Sequence, residues 1–363
     1  MIKLVPRGAP AKHLSYLTPV LAVVLTIAAG FVLFALMGYN PFETLYHFFI
    51  APISTRYGLA ELAVKATPLV LIGVGLSIGF RAGVWNIDAE GQLTLGAIFG
   101  GGLAIWFHDS ESVLLLPAML VMGALGGALW GAIPALLKTR FNVNEILTSL
   151  MLTYVATLLL SALVHGPWRD PEGFNFPESR LFPGAGTMPI LLDGTRLHLG
   201  ALLAVIVVAA AWFMLSRTLT GFQVKVIGQA PRAAGFAGFS AKRMVWFSML
   251  LGGGLAGLAG LSEVAGPIGQ LVPVISPGYG FTAIIVAFLG RLHPLGVLFA
   301  GLLMALSYLG GENAQIAVGL PTAATGVFQG MLLFFVLAAD VLLRYRLSWS
   351  FSNKSATAQA GAD

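Results

Sequence analysis

The 363 residues are 57% hydrophobic and only 10% charged, with a mean hydropathy of +0.87, which excludes an ordinary soluble protein and favours an integral membrane protein. The 20 Lys and Arg exceed the 15 Asp and Glu, but they lie in short segments between apolar runs, so we expect no nucleic acid partner. With no cysteine and six scattered histidines, the sequence predicts neither disulfides nor a metal site.

Ten apolar runs follow one another along the chain. They lack the ten-residue alternation of a membrane barrel, so we expect each run to be a helix. The sequence therefore predicts an all-α polytopic membrane protein, with a cytoplasmic segment 1–16, a transmembrane domain 17–343 and a disordered cytoplasmic tail 344–363. The predicted spans are 17–38, 62–80, 91–107, 113–137, 146–164, 197–215, 244–262, 279–290, 295–311 and 322–343.

Basic residues set the orientation of these spans. If the N-terminus is inside, ten crossings place Lys138, Arg140, the basic loop 216–243 and Arg344 on the same side, as the positive-inside rule requires. Both termini are then cytoplasmic. The proline-rich loop 165–196 lies outside, and we interpret it as an ordered cap or docking surface.

The third and eighth spans are weak. The run 279–290 is too short to cross a hydrocarbon core of about 30 Å, and the run 91–107 is shortened by polar residues before it. Short segments at matching places in two halves hint at an inverted repeat around a pathway. Glycines four residues apart predict close helix packing, although 45 glycines produce some such pairs by chance. These pairs are Gly96 and Gly100, Gly123 and Gly127, Gly127 and Gly131, Gly253 and Gly257, and Gly326 and Gly330.

The stretch RAGVWNIDAEGQ separates the second and third spans. Asn86, Asp88, Glu90 and Gln92 recur at every second position, which one face of a helix cannot accommodate, so the sequence predicts a broken backbone here. Two interpretations remain open. The stretch is either an unwound element beside the permeation pathway, with these four residues as pathway candidates, or a cytoplasmic turn in which Arg81 and the acids are solvated or paired.

The fifth span opens with FNVNEILTSLMLTY. Asn142 or Asn144 suits a helix N-cap and Glu145 suits the positive end of a helix, while hydroxyls follow along the span. Capping is the simpler interpretation. Asn144, Glu145 and Thr148 are the further pathway candidates.

The loop 216–243 is the largest on the inside. Gly228, Pro231, Gly235 and Gly238 are expected to break regular structure, and PRAAGFAG predicts one short helix with a small-residue face. This loop is either a solvated basic connector or an element that docks on a cytoplasmic partner through exposed Phe236 and Phe239. No phosphate-binding GxxxxGK[ST] loop and no hydrolase or kinase motif is present, so we expect no catalytic residue, and energy must come from a separate ATPase or an ion gradient.

Four segments in this order resemble the permease subunits of bacterial ABC importers. They are FRAGVWNIDAEGQLTLGA (80–97), NEILTSLMLTYVA (144–156), VIGQAPRAAGFAGFS (226–240) and GYGFTAIIVAFLGRLHPLGVLFAGLL (278–303). The nearest branch transports nucleosides and sugars. The chain departs from the usual pattern of that branch at Trp85, where Phe is common, and at Asp88, where Gly is common.

This resemblance implies a type II-like permease of about ten spans in the bacterial inner membrane. The implied partners are a cytoplasmic ATP-binding subunit, a second permease in a homo- or heterodimer, and an extracytoplasmic substrate-binding protein. ATP and Mg would be used by the ATPase, with no cofactor on this chain. The residues implied in coupling to the ATPase are Gly228, Ala230, Pro231, Arg232, Ala233, Ala234, Gly235 and Gly238.

The function expected from this resemblance is import of a nucleoside or a related solute. The first alternative is a permease for a monosaccharide such as ribose. An alternative of another class is an ion-coupled secondary transporter, in which Asp88 and Glu90 would bind the ion.

Overall fold

The computed structural model describes residues 2–6 and 12–349, with side chains described for residues 17–339. The long helices are α1 (Lys12–Leu36), α3 (Arg56–Arg81), α4 (Ala89–Trp106), α5 (Leu115–Phe141), α6 (Glu145–His165), α7 (Leu199–Arg217), α10 (Ala241–Glu263), α12 (Pro294–Val318) and α13 (Thr322–Arg344). The shorter helices are α2 (Pro41–Phe49), α8 (Leu219–Gln229), α9 (Pro231–Phe236) and α11 (Tyr279–Leu289). The described elements also include two strands, β1 (Ile2–Pro6) and β2 (Tyr345–Trp349), two 3-10 turns (Ala51–Ile53 and Gly184–Gly186) and a π-helical turn after α10 (Val264–Ile268).

Each of the ten predicted spans coincides with one helix, so the all-α polytopic prediction is confirmed. Among the described residues, eight helices are long and apolar enough to cross a membrane. The two predicted spans outside this set are α4 and α11, the pair that the sequence marked as weak. In α4, Glu90 and Gln92 occupy the first turn, and α11 has only 11 residues.

The chain divides into two units, and the first comprises residues 1–41 and 326–363. Its strands β1 and β2 pair antiparallel, with Ile2 opposite Trp349 and Pro6 opposite Tyr345. The prediction of a disordered tail is therefore wrong for residues 345–349, where Tyr, Leu and Trp alternate with polar residues as in a strand. The rest of that tail, 350–363, lies outside the described residues.

The second unit, residues 42–325, is held together by a seam of glycines among α4, α5 and α10. A Cβ at Gly96 would overlap the backbone of Gly257, and one at Gly127 would overlap the backbone of Gly253. The predicted close packing is thus confirmed for these helices. It is wrong for Gly326 and Gly330, which have no heavy atom within 4 Å of an added Cβ.

Helices α3 and α12 are longer than the sequence predicted. The predicted span 62–80 begins after the observed start of α3 at Arg56, and the predicted span 295–311 ends before the observed end of α12 at Val318. Lys65 Nζ donates to Glu312 Oε1 at 2.8 Å and so links the two helices. Helices α2 and α8 were not predicted from the sequence.

Candidate functional site

Residues 82–88 form a non-helical connection between α3 and α4. Gly83 takes a left-handed conformation with φ of +75°, which glycine adopts without a steric penalty, and the chain turns back so that Val84 N donates to Gly79 O at 2.9 Å. The predicted break in the backbone is therefore confirmed. We call residues 86–92 the polar joint.

Two amides of the polar joint bind each other. Asn86 Nδ2 donates to Gln92 Oε1 at 2.8 Å, and Gln92 Nε2 donates to Asn86 Oδ1 at 3.1 Å. The same Asn86 oxygen also accepts from Asp88 N at 3.2 Å. Both amide side chains are buried, so these bonds fix the path by which the chain enters α4.

Asp88 connects the joint to α6. It is fully buried, and its Oδ1 accepts a hydrogen bond from Thr153 Oγ1 at 2.8 Å. One residue earlier, Ile87 N donates to Ser149 Oγ at 3.2 Å. The second carboxylate oxygen of Asp88 has no partner with hydrogen-bond geometry, although the Trp130 indole nitrogen, also unpartnered, faces this carboxyl group.

Glu90 connects the joint to α11. Its Oε2 accepts from Gly280 N at 2.6 Å, in the first turn of α11. Any side chain at Gly280 would overlap the backbone of Glu90, so the two helix starts touch directly. Ser276 completes this contact because its Oγ accepts from Tyr279 N at 2.8 Å. The carboxylate of Glu90 thus lies where two positive helix ends meet.

The burial of these acids excludes one arrangement of the stretch 81–92. Asp88 is 0% exposed and Glu90 is 8% exposed, and both bind other helices of this chain. Solvation of the acids is therefore wrong for both, since each is hydrogen-bonded inside the protein. Asp88 joins α4 to α6 and Glu90 joins α4 to α11, while Asn86 and Gln92 bind each other.

The other pathway candidates lie at the start of α6, apart from the joint. Asn144 caps α6 by accepting from Ile146 N at 2.9 Å, Glu145 pairs with Lys138, and Thr148 Oγ1 donates to Asn144 O at 2.9 Å. These bonds match the capping interpretation. Asn144 is exposed, whereas Ser149 and Thr153, which touch the joint, are on the buried side of α6.

The segment 216–243 contains two helices in succession. The predicted short helix is present as α9, in which Phe236 is 95% exposed while Ala234 is 1% exposed and faces the protein. Pro231 begins α9, and Gly238 has a φ of +80° after its end. Arg232, Ala233 and Gly235 are exposed with Phe236.

Gly228 does not break regular structure as predicted, because it lies inside α8. Its lack of a side chain has another reason. A Cβ here would overlap the carbonyl oxygen of Arg81, the last residue of α3. Helix α8 therefore packs directly against the end of α3 that leads into the polar joint. Ala230 links α8 to α9 as the C-cap of one and the N-cap of the other.

We call residues 166–198 the external loop, because the sequence predicts that they lie outside the membrane. It is ordered, as predicted, and attached to α3 through Arg196, whose Nε donates to Glu61 Oε1 at 2.9 Å. This bond raises the pKa of Arg196. His198 caps α7 by accepting from Gly200 N at 3.2 Å, and burial lowers the pKa of this imidazole to about 4, against the opposing effect of the nearby Glu61 charge.

The partners of the joint were not found by sequence reasoning. Thr153 and Ser149 are four residues apart, which places them on one side of α6, but many hydroxyls in membrane helices share such spacing. Gly280 and Ser276 are nearly 190 residues from Glu90 along the chain, and no local pattern connects them. Among the described residues, no group of three or more His, Cys, Asp or Glu is placed to hold a metal ion.

A comparison with protein families shows which family the chain belongs to. Residues 58–337 match the family described as branched-chain amino acid transport system, permease component. The chain belongs to this permease family. It is therefore a transport component of the ABC type and a multi-pass membrane protein, and ATP-binding and substrate-binding subunits are the general partners of such permeases.

Individual permeases are similar over most of their length. A glucose ABC transporter permease of Haloferax volcanii is 37% identical over 99% of this chain and 97% of its own. A guanosine ABC transporter permease of Bacillus subtilis is 30% identical over 92% of this chain and 96% of its own. A second guanosine permease of the same organism is 28% identical over 68% of this chain and 80% of its own.

Proposed function

We propose that this chain is one of two permeases of an ABC importer in the bacterial inner membrane, and that the solute is a nucleoside. The observation that carries the proposal is the family match over residues 58–337, together with similarity to two guanosine permeases. The family favours coupling to ATP over the ion-coupled alternative. Two different guanosine permeases in one organism are what a heterodimeric importer requires, which supports a second permease as partner.

Glucose is the second candidate solute. The 37% identity to a glucose permease over almost the whole chain favours it. Nucleosides and glucose share a ring with several hydroxyls, so a pathway suited to one is chemically close to a pathway suited to the other.

The solute pathway would run along the exposed side of α6. Thr148, Tyr154 and Thr157 interrupt a mainly apolar surface on this helix, and Asn144 lies at its end. Exposing polar groups to lipid tails costs free energy. These residues therefore favour a second permease and a polar path on this side of α6. The polar joint binds the opposite side of α6 and would fix its position, so Asn86, Asp88, Glu90 and Gln92 act in this proposal by positioning α6.

The free energy of ATP hydrolysis by the partner would reach this chain through α9. This chain would bind no cofactor, and a partner ATPase would use ATP and Mg. The exposed residues of α9, with Phe236 as the apolar anchor, would dock on that ATPase, and Gly228 and Ala230 would keep α8 and α9 in place against α3. The external loop, at the opposite end of α7, would receive the binding protein.

The first test is to purify the tagged chain from its native membrane in mild detergent and to identify its companions by mass spectrometry. An ATPase, a second permease and a binding protein are expected. The binding protein is then screened by thermal shift with guanosine, glucose and leucine. A lone chain in several mild detergents would contradict the proposal, and a shift with glucose or leucine only would change the solute.

The docking role of α9 is tested with Phe236→Asp. This change should lower the co-purified ATPase at least about tenfold, since losing an interface anchor costs roughly 2 kcal/mol or more. Phe176→Asp, at an exposed phenylalanine of the external loop, is the control and should retain the ATPase. Equal amounts of ATPase with both variants would exclude α9 as the docking element.

A further inference from the structure

The external loop is bound along its length to the connection between α10 and α11. Phe182 N donates to Gly269 O and Met188 N to Ala265 O, both at 2.8 Å. Gln270 Nε2 donates to Glu178 Oε2, also at 2.8 Å. These bonds attach the loop to residues 265–271, which we call the strap.

Ser179 makes the most enclosed of these contacts. Its backbone N donates to Leu271 O at 2.9 Å, and its Oγ accepts from Leu271 N at 2.9 Å. Ser179 is 1% exposed and Leu271 is buried, so water does not replace either bond. One serine thus satisfies both backbone groups of one strap residue.

The strap continues directly to the polar joint. Only residues 272–279 separate Leu271 from Gly280, whose N binds Glu90. Residues 272–278 form neither helix nor strand, and Ser276 binds this segment to the start of α11, since its Oγ accepts from Gly278 N at 3.1 Å and from Tyr279 N at 2.8 Å. A segment this short limits how far Leu271 can shift without moving the start of α11, because its span is at most about 3.5 Å per residue.

We propose that Ser179 is a positioning residue that transmits docking of the binding protein from the external loop to the polar joint. This inference rests on the proposed function, because it requires a binding protein that docks on the loop. The continuous route runs from Ser179 to Leu271, along the chain to Gly280, and from there to Glu90. Glu90 lies in the first turn of α4, and Asp88 connects this helix to α6.

The test uses the complete transporter with its ATPase, second permease and binding protein in lipid nanodiscs. ATP hydrolysis is measured with and without binding protein loaded with guanosine, or with glucose if the thermal-shift screen selects it. Ser179→Ala should assemble but lose stimulation by about threefold to thirtyfold, the range in which single contacts change coupling between distant sites. Ser179→Thr, which keeps the hydroxyl, should restore stimulation.

Ser262→Ala is the matched control. Ser262 is as buried as Ser179, but its hydroxyl binds only Leu258 O of its own helix at 2.8 Å. Stimulation should persist in this variant. Loss of stimulation in Ser179→Ala alone supports the inference, whereas wild-type stimulation in Ser179→Ala overturns it.

A second variant applies if Ser179→Ala does not assemble. Gln270→Leu removes a bond between the same loop and strap without leaving a buried backbone group unpaired. Reduced stimulation by this variant supports transmission through the strap, and normal stimulation overturns it. If the wild-type chain neither assembles with an ATPase nor responds to a binding protein, the proposed function itself fails.

Discussion

Single hydrogen bonds in the polar joint contribute to stability because the bonded groups are buried and water does not replace a lost partner. Thr153 is the clearest case, since its hydroxyl is the described donor to Asp88 Oδ1 and both groups are buried. Its removal would leave the carboxyl group with only the Gly91 backbone N–H and the Trp130 indole beside it, neither of them in regular hydrogen-bond geometry. Such an unsatisfied buried group costs about 1–3 kcal/mol.

Thr153→Val should therefore lower the thermal unfolding temperature of the purified permease by several degrees. Thr157→Val is the matched control, because Thr157 is exposed and its hydroxyl binds only the Thr153 carbonyl in the same helix. Its effect should remain within about 0.5 kcal/mol. Equal melting temperatures for the two variants would show that the bond to Asp88 contributes little.

His198 makes the stability of the protein depend on pH. Its pKa is about 4 in the folded protein and about 6.5 when unfolded, so the unfolded chain binds more protons between these values. The free energy of unfolding should have its full value above pH 6.5 and fall as the pH drops toward 4. At pH 5 it should be lower by about 2 kcal/mol. His198→Asn keeps an acceptor for the helix cap and removes the titration.

The measurement is the melting temperature at pH 7 and pH 5 for the wild type and His198→Asn. The wild type should lose more stability than the variant on acidification. An identical loss in both proteins would assign the pH dependence to other groups.

At the level of single residues, the sequence predicted what depends on neighbours in the chain and missed what depends on distant partners. The cap at Asn144 needs only Ile146 two residues later, and it was predicted. The alternation of Asn86, Asp88, Glu90 and Gln92 correctly indicated a break, but their burial depends on Thr153 and Gly280, which no local pattern connects to them.

At the scale of helices, the glycine seam fixes how α4, α5 and α10 cross. Gly96→Ala should destabilise the protein by about 1–3 kcal/mol, because the new methyl group would overlap the backbone of Gly257 and a backbone cannot rotate away. Gly330→Ala is the control, since it lies in a helix with open space around it and alanine favours helices.

The comparison is made by thermal unfolding of the two variants in the same detergent. Gly96→Ala should melt below the wild type and Gly330→Ala at or slightly above it. If Gly96→Ala melts at the wild-type temperature, the seam is looser than the structure indicates.

The number and order of the ten apolar helices followed from the hydrophobic runs, but several lengths did not. Helix α3 begins before its predicted span and α12 continues beyond its predicted span, and the Lys65–Glu312 pair that links them joins positions 247 residues apart. The short helices α2 and α8 were missed because neither is long enough to produce a continuous apolar run.

For the whole molecule, the orientation in the membrane remains a prediction that a cysteine-free chain makes simple to test. Phe174, 92% exposed in the external loop, is replaced by cysteine in one variant, and the exposed Arg140 at the end of α5 in another. In intact cells, a membrane-impermeant maleimide should label Phe174→Cys only, and Arg140→Cys should react after permeabilisation. The reverse pattern would place both termini outside.

The glycine seam also limits which parts of the molecule can move during transport. A contact between two backbones has no side chain that can switch rotamer, so it offers no second arrangement of similar energy. Helices α4, α5 and α10 should therefore travel as one rigid block. The hinges must then lie where helical hydrogen bonds are missing, and in the second unit two of the stretches at the ends of this block are residues 82–88 and 269–278. One enters the polar joint and the other leads from the strap to Glu90, so a small rotation at either hinge would change the tilt of α6 or α11 while the block keeps its internal packing.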